Sequence, residues 1–496
     1  MRRSIRFLRR GRLVELTDIE PTAMLLDHLR LTEGKRRTKE GCAEGDCGAC
    51  TIALGRRVNG RLVYQPVNAC ILLLGMADGA DIVTVEDLAG PDGTLHPVQA
   101  ALVAHHGSQC GFCTPGFVMS LFTLYHRGEK ASRQTVNDWI AGNLCRCTGY
   151  RPIIEAGLEA IDGKPSDSFA KARAETERQL AELDERDGGE DVFIGDGDRF
   201  FAAPASIDSL ARLYEDHPDA TIVAGATDVG LWITKQLRDL PKIIHLGRVQ
   251  GLAVVEESAE ELVIGAAATY AAVEEQITRL DPDLGELWRR LGAKQVRASG
   301  TVGGNIANGS PIGDTPPALI ALDAELELRK GAEERRLPLE DFFLDYGKQD
   351  RAPGEFVARV RVPMPGPADA FRCYKISKRF DQDISAVMGA FRLTLDGKAV
   401  RAARLAYGGM AAIPKRATAA ERALVGADLA EPATWTPALD ALAEDLTPID
   451  DLRASAAYRR TTARALLEKA LIEIAGGDDR ETRIVGHRGA FDERVA

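Results

Sequence analysis

The chain has 496 residues, 45% of them apolar and 28% charged, the balance of a globular protein and not of a fibrous or largely disordered one. Its length predicts three or four domains. A net charge of −11 argues against a nucleic-acid partner, and no apolar run approaches the ~20 residues that span a bilayer.

The opening, MRRSIRFLRRGRL, is rich in arginine. Arg9, Arg10 and Arg12 interrupt it before a signal-peptide apolar stretch forms, so an exposed first strand and a cytoplasmic protein are expected. SIRFLRRGRLVEL predicts a hairpin turning at Gly11, and PTAMLLDHL a short helix with Pro21 near its start. TIALGRRVNGRLVYQPV predicts a second hairpin, with Asn59-Gly60 as its turn. Residues 85–161 read as helices: PVQAALVAHHG, PGFVMSLFTLYHRG, RQTVNDWIAG capped by Ser132, and PIIEAGLEAID. Residues 162–191 are polar and read as a linker, helical in part over AKARAETERQLAEL. From about 192 strand-like TIVAG, IIHL and LVIGAAA alternate with helical stretches. From about 370 strands mix with Ala-rich helices, and the last twenty residues are polar.

Nine cysteines are present, and eight lie within the first 150 residues. Without a secretory signal such clustering argues for metal over disulfides. Cys42, Cys47 and Cys50, with Cys70 after a further nineteen residues, follow the spacing of plant-type [2Fe–2S] ferredoxins. Gly41, Gly45, Gly48 and Ala49 are small enough for backbone N–H groups to turn inward toward sulfur. A zinc knuckle is the alternative, and it suits the long reach from Cys50 to Cys70 less well. Cys110 and Cys113, then Cys145 and Cys147, form a second set. Cys-x2-Cys alone also suits zinc or redox chemistry, but both pairs fall at or just before expected helix N-termini, which favour negative charge. Cys373 stands apart as a buried structural thiol.

GCAEGDCGACT, QCGFCTPG and NLCRCTGYRPI, in that order, resemble the iron–sulfur region of the molybdenum hydroxylases, the xanthine oxidase family. The resemblance implies an α+β multidomain fold. Its parts would be a β-grasp ferredoxin-like domain over 1–84, a four-helix [2Fe–2S] domain over 85–161 and the linker 162–191. A vanillyl-alcohol-oxidase-type FAD-binding domain would follow over 192–367, then a C-terminal α+β flavoprotein domain like that of CO dehydrogenase over 368–475 and a polar tail over 476–496. It implies that Cys42, Cys47, Cys50 and Cys70 hold an outer cluster, and Cys110, Cys113, Cys145 and Cys147 an inner one. Gln109 matches a glutamine that faces molybdopterin in a neighbouring domain.

No GxGxxG and no GxxxxGK[ST] motif occurs. Two glycine-rich segments, read alone, suit plain turns as well as phosphate sites. Paired, they resemble the family's FAD-binding fold. That resemblance assigns Ile222, Val223, Ala224, Gly225, Ala226, Thr227, Asp228 and Val229 to the pyrophosphate and flavin. It assigns Thr301, Gly304, Asn305 and Asn308 to the phosphates and ribityl chain, and Asp314 to the adenosine ribose. The alternative for Asp314 is a cap on the following helix, TPPALIALDA. Lys375 matches a lysine at the flavin and Tyr346 a tyrosine near a nicotinamide site. Leu291 and Gln382 depart from the pattern, standing where animal members carry an aromatic and an acid.

The resemblance further implies the iron–sulfur/FAD small subunit of a two-subunit xanthine dehydrogenase, with no substrate-hydroxylating residue in this chain. A molybdenum-cofactor large subunit would oxidise hypoxanthine to xanthine to urate, in a heterodimer of heterodimers. Electrons would pass through two [2Fe–2S] clusters to FAD and NAD+, with no nucleic acid and no membrane involved. An aldehyde or N-heterocycle hydroxylase subunit, or a stand-alone electron-transfer module, remains the alternative.

Overall fold

A computed structural model describes residues 1–90 and 92–476; the polar tail expected at 476–496 lies, but for its first residue, outside them. The chain divides into two compact units. One comprises Met1–Gly251 with Gly292–Gly300, and the other Leu252–Leu291 with the chain from Thr301 on.

The first unit opens with the expected hairpins. Ile5–Arg9 pairs with Arg12–Leu16, and Thr51–Val58 with Arg61–Asn68. At both turns the two central residues have positive φ, Arg10 and Gly11 at 55° and 67° and Asn59 and Gly60 at 50° and 78°. This geometry matches the strand twist and accounts for the asparagine–glycine pair. Asp81–Val83 lies between the hairpins, parallel to the first strand and antiparallel to Thr51–Val58, completing a five-stranded sheet. Ile5, Phe7, Leu25, Leu29, Ile52 and Ile82 form its core.

Four helices follow, Pro97–Ala104, Thr114–Tyr125, Arg133–Ile140 and Arg151–Ala160. Thr114–Tyr125 is buried on nearly every side, from Gly116 to Tyr125, so it forms the axis of this group. Ser132 caps its helix as expected, accepting from the Thr135 N–H. The stretch 162–191 is more ordered than its polarity suggested. Asp167 caps a helix over Ser168–Asp187, which lies along the Thr51–Val58 and Arg61–Asn68 strands with Leu180 and Leu183 buried in a core shared with them. Two leucines on one face are enough to dock an otherwise solvated helix. A four-stranded sheet then forms, in the order Val192–Gly195, Phe200–Ala203, Lys242–His245, Thr221–Val223.

In the second unit, an antiparallel five-stranded sheet runs Val255–Glu257, Glu261–Gly265, Phe356–Pro363, Glu325–Lys330, Glu333–Pro338. It packs with helices Tyr270–Leu280, Pro282–Arg289, Val302–Asn308 and Thr315–Ala321 around Trp288 and Phe342. A four-stranded antiparallel sheet from Asp369–Ile376 to Lys415–Arg416 carries Pro432–Asp445 and Ala456–Gly476 over a core of Phe391, Tyr407 and Trp435. Cys373 is buried in the strand Asp369–Ile376.

Candidate functional site

Cys42, Cys47 and Cys50 lie on the loop before Thr51–Val58, and Cys70 follows Arg61–Asn68. Because Thr51 pairs with Asn68, the hairpin returns Cys70 to Cys50, and their sulfurs stand 3.2 Å apart. Left-handed backbone at Ala43, Gly45 and Gly48 turns the loop's N–H groups inward. Those of Asp46 and Cys47 each approach Cys42 Sγ to 3.4 Å. Asn68 Nδ2 braces the loop by donating to the Gly45 carbonyl at 2.7 Å. Hydrogen bonds from the Cys47 and Cys70 thiols hold Cys42 far below the usual thiol range against its burial. The same contacts push Cys47 and Cys70 upward. Four thiols that compete for protons at this spacing form a soft-metal donor set, and the inward N–H groups suit an anionic iron–sulfur core.

The second set assembles from helix starts. Cys113 occupies the cap position of Thr114–Tyr125 without a side-chain cap bond, and Cys145 and Cys147 sit in the loop leading to Arg151–Ala160. Cys145 Sγ accepts from the N–H groups of Cys147 and Thr148 at 3.4 and 3.5 Å and from the Thr148 hydroxyl at 3.3 Å. Although burial opposes it, these bonds hold Cys145 below the usual thiol range. Burial, then the Cys145 thiol, pushes Cys113 up to about 12. Cys110 and Cys147 are exposed, as is Gln109 beside them.

A network of buried polar side chains joins the two thiol loops. Asn143 Nδ2 donates to the Gly48 carbonyl at 3.0 Å and to Thr51 Oγ1 at 3.2 Å. Its Oδ1 accepts from Ser120 Oγ at 2.7 Å. Gln295 Nε2 reaches the same group, at 3.2 Å from Thr51 Oγ1, 3.1 Å from Ser120 Oγ and 3.0 Å from Asn143 Oδ1. The backbones meet because three positions lack a Cβ. A side chain at Gly48 would fall 2.1 Å from the Gly142 carbonyl, one at Gly116 2.2 Å from the Gly48 carbonyl, and one at Gly142 2.1 Å from Gln295 Oε1.

The segment Ile222 to Val229 runs, as expected, from strand Thr221–Val223 through a turn into Val229–Thr234. Ala226 adopts φ 58°, and Asp228 makes no cap bond and is raised above the usual carboxyl range by burial. Gly225 serves chain packing, since a Cβ there would fall 2.0 Å from the Ser299 carbonyl. Val229–Thr234 is tied to the outer thiol loop: Thr234 Oγ1 donates to the Ala43 carbonyl at 2.6 Å, and Gly230 lies against Ile71.

In the second unit, Thr301 caps Val302–Asn308 by accepting the Gly304 N–H at 3.0 Å. Asn305 Oδ1 is buried with no partner among the described residues, a polar atom open to a ligand donor. It lies beside Gly313, which precedes Asp314. The Asp314 carboxylate makes no cap bond to Thr315–Ala321, so the capping alternative does not hold. Instead Lys375 Nζ reaches its Oδ2 at 2.5 Å, and the Ser385 hydroxyl donates to Oδ1. All three side chains are buried. Tyr346 is 71% exposed in the turn between Phe343–Asp345 and Lys348–Gln349. That ribbon is fixed to the Asn305 helix by Gln349, which donates to the Ala307 carbonyl at 2.6 Å. The unpartnered Asn305 oxygen and the buried Asp314–Lys375 pair fit the polar parts of a dinucleotide cofactor.

Sequence reasoning missed Asn143, Gln295 and a buried triad in which Asp167 Oδ2 meets His96 Nε2 at 2.8 Å and His126 Nε2 at 3.0 Å. The spacing of these residues along the chain carries no signal. His96 Nδ1 already accepts the Val98 N–H at 3.2 Å, which leaves its proton on Nε2 and makes the triad a hydrogen-bonded clasp for the Ser168–Asp187 helix, not a metal centre. Among the described residues no helix is long and apolar enough to cross a membrane.

Residues 84–158 match the family described as "[2Fe-2S] binding domain". Residues 197–365 match "FAD binding domain in molybdopterin dehydrogenase", and 372–474 match "CO dehydrogenase flavoprotein C-terminal domain". The chain is 30% identical to a xanthine dehydrogenase of Emericella nidulans over 89% of its own length and 36% of that protein's. It is 31% identical to one from Drosophila subobscura over 95% of its own length and 39% of that protein's. It thus spans little more than a third of these relatives. Among solved structures, a chain of the cyanide-inactivated Cu,Mo-CO dehydrogenase superposes with TM-score 0.52 at 26% identity, covering 55% of this chain and 95% of that one. Quinoline 2-oxidoreductase from Pseudomonas putida 86 gives TM-score 0.51 at 27% identity, over 55% and 96%.

Proposed function

We propose that this chain, whose matched segments are those of iron–sulfur and FAD modules of molybdenum hydroxylases, is the electron-transfer subunit of a cytoplasmic xanthine dehydrogenase. In this reading a separate molybdenum-cofactor subunit oxidises the purine, and NAD+ is the final acceptor. The observation that carries it is the pairing of two four-thiol sets in one compact unit with the Ile222 to Val229 segment. That is the equipment of a relay.

Bound [2Fe–2S] clusters move electrons singly, and FAD couples single electrons to hydride transfer. The residues supply position and electrostatics. Cys42, Cys47, Cys50 and Cys70 hold an outer cluster, with the Asp46 and Cys47 N–H groups aimed at sulfur. Cys110, Cys113, Cys145 and Cys147 hold an inner cluster at an exposed surface, where Gln109 faces the molybdenum partner. Thr234 ties the helix after the FAD turn to the outer loop. Thr301, Gly304, Asn305 and Asn308 line the phosphate and ribityl side of FAD. Lys375 presents its buried ammonium group to it, held in orientation by Asp314. Tyr346, exposed on its ribbon, stands at the nicotinamide side.

A second reading, an N-heterocycle hydroxylase, draws on the likeness to quinoline 2-oxidoreductase. The test is to purify the chain alone and with its molybdenum partner. Alone it should reduce dyes from NADH without oxidising xanthine; the complex should couple xanthine to NAD+. Xanthine turnover by the single chain refutes the division of labour, and turnover of quinoline but not xanthine by the complex selects the second reading.

A further inference from the structure

Gln295 belongs by sequence to the stretch that matches an FAD-binding domain, yet Gly292–Gly300 is part of the compact unit that holds all eight thiols of the two sets. Its side chain is 1% exposed. Its Nε2 meets one acceptor from each element that carries a thiol loop. Thr51 follows Cys50, Ser120 lies on the helix that Cys113 begins, and Asn143 stands two residues before Cys145. The amide orientation follows from the proton inventory. The Thr51 hydroxyl donates to the Gly48 carbonyl at 2.6 Å and the Ser120 hydroxyl to Asn143 Oδ1 at 2.7 Å. Both hydroxyl protons are spent, so the group facing these oxygens must be a donor. Two N–H hydrogens cover three acceptors, and Gln295 Oε1 is left buried without a partner among the described residues. Leaving an oxygen unsatisfied to aim the amine inward indicates a requirement for the donor.

We propose that Gln295 is a positioning residue that tunes the spacing between the two iron–sulfur clusters, joining the outer loop at Thr51 to the inner loop at Asn143 and to the Cys113 helix at Ser120. This rests on the two-cluster reading above. With Gln295 removed, Thr51, Ser120 and Asn143 lose their common donor, and Gly142 loses the side chain packed against it. The Asn143–Gly48 and Leu144–Cys47 bonds keep the loops joined, while Thr51 and Asn143 shift relative to each other.

The test uses Gln295→Met, close in shape but with no donor, in the full chain. Iron content and the electron paramagnetic resonance of both reduced clusters are read, including the splitting from their spin–spin coupling, with both midpoint potentials. The expected result is wild-type iron content with a changed splitting and shifts at both clusters. Gln295→Asn retains a donor on a shorter arm and should recover part of the splitting. Unchanged splitting with full iron, or a change at one cluster alone, overturns the proposal. If Gln295→Met does not fold, Thr51→Val and Ser120→Ala carry the test, each removing one acceptor. Both must alter the splitting, and wild-type spectra from both overturn it. A wild-type chain holding zinc or a single two-iron centre fails earlier, by iron analysis, and removes the two-cluster reading along with this one.

Discussion

The backbone N–H of Leu144 donates to the carbonyl of Cys47 over 3.0 Å, so a residue of the outer thiol set is bonded to the residue preceding Cys145 of the inner set. One hydrogen bond and one peptide unit separate the two loops there. This short connection is independent of side chains, and it is possible because Gly48 and Gly142 let the backbones touch.

Replacing Leu144 by proline removes that donor. The expected cost is about 1 kcal/mol from the lost bond, with an altered outer-cluster resonance. Leu144→Ala keeps the N–H and should leave the spectrum as in wild type. Paramagnetic resonance with thermal unfolding of both variants checks this, and equal spectra from the two would refute the bond's role.

The two thiol sets should be separable by ligand removal. A chain with two [2Fe–2S] clusters binds about four irons. Cys50→Ser should lower this to about two and abolish one resonance, and Cys147→Ser should abolish the other. Because Cys50 is buried and Cys147 exposed, the first variant should also lose more thermal stability. Iron analysis and resonance of each variant provide the measurement.

His245 makes the first unit sensitive to acid. Burial, then the Arg56 guanidinium, lowers its pKa to about 4, while Nδ1 lies 3.1 Å from the Val223 carbonyl. The unfolded chain, with an ordinary imidazole near 6.5, binds the proton first. Stability contributed by the neutral ring is therefore complete above about pH 6.5 and declines as pH falls toward 4, by about 1.4 kcal/mol per unit at most. His245→Gln should flatten the denaturation midpoint between pH 6.5 and 4, and an unchanged slope would contradict this.

Asp314 and Lys375 should act on FAD as one unit. Asp314→Ala should weaken FAD by roughly ten- to a hundredfold, the range of a charged hydrogen bond of about 1.5–3 kcal/mol. Lys375→Met should do the same, and the double variant should lose little more than either single one, because each single change leaves a buried charge unpaired. FAD titration of the three variants gives the cycle. Fully additive losses would mean that the two residues contact FAD independently.

Much of this protein was legible in its sequence because local chemistry decided it. Asn59-Gly60 specifies its turn through positive φ, Ser132 its helix start through an N–H acceptor, and the two cysteine spacings their loops. Where a single loop holds several ligands, spacing along the chain is distance in space. Other features depended on long-range packing. The helix Ser168–Asp187 is polar almost throughout and orders because Leu180 and Leu183 bury in the core beside the Arg61–Asn68 strand, Glu177 accepts the Leu62 N–H and Asp167 meets His96 and His126. Asp314 stands at a helix start, where sequence logic offers a cap, but a lysine 61 positions later claims its carboxylate. Gln295 lies 152 residues from Asn143 and 244 from Thr51, and no periodicity links them. Their meeting was decided by tertiary structure, because a buried amide takes whichever acceptors the packed backbone leaves unsatisfied.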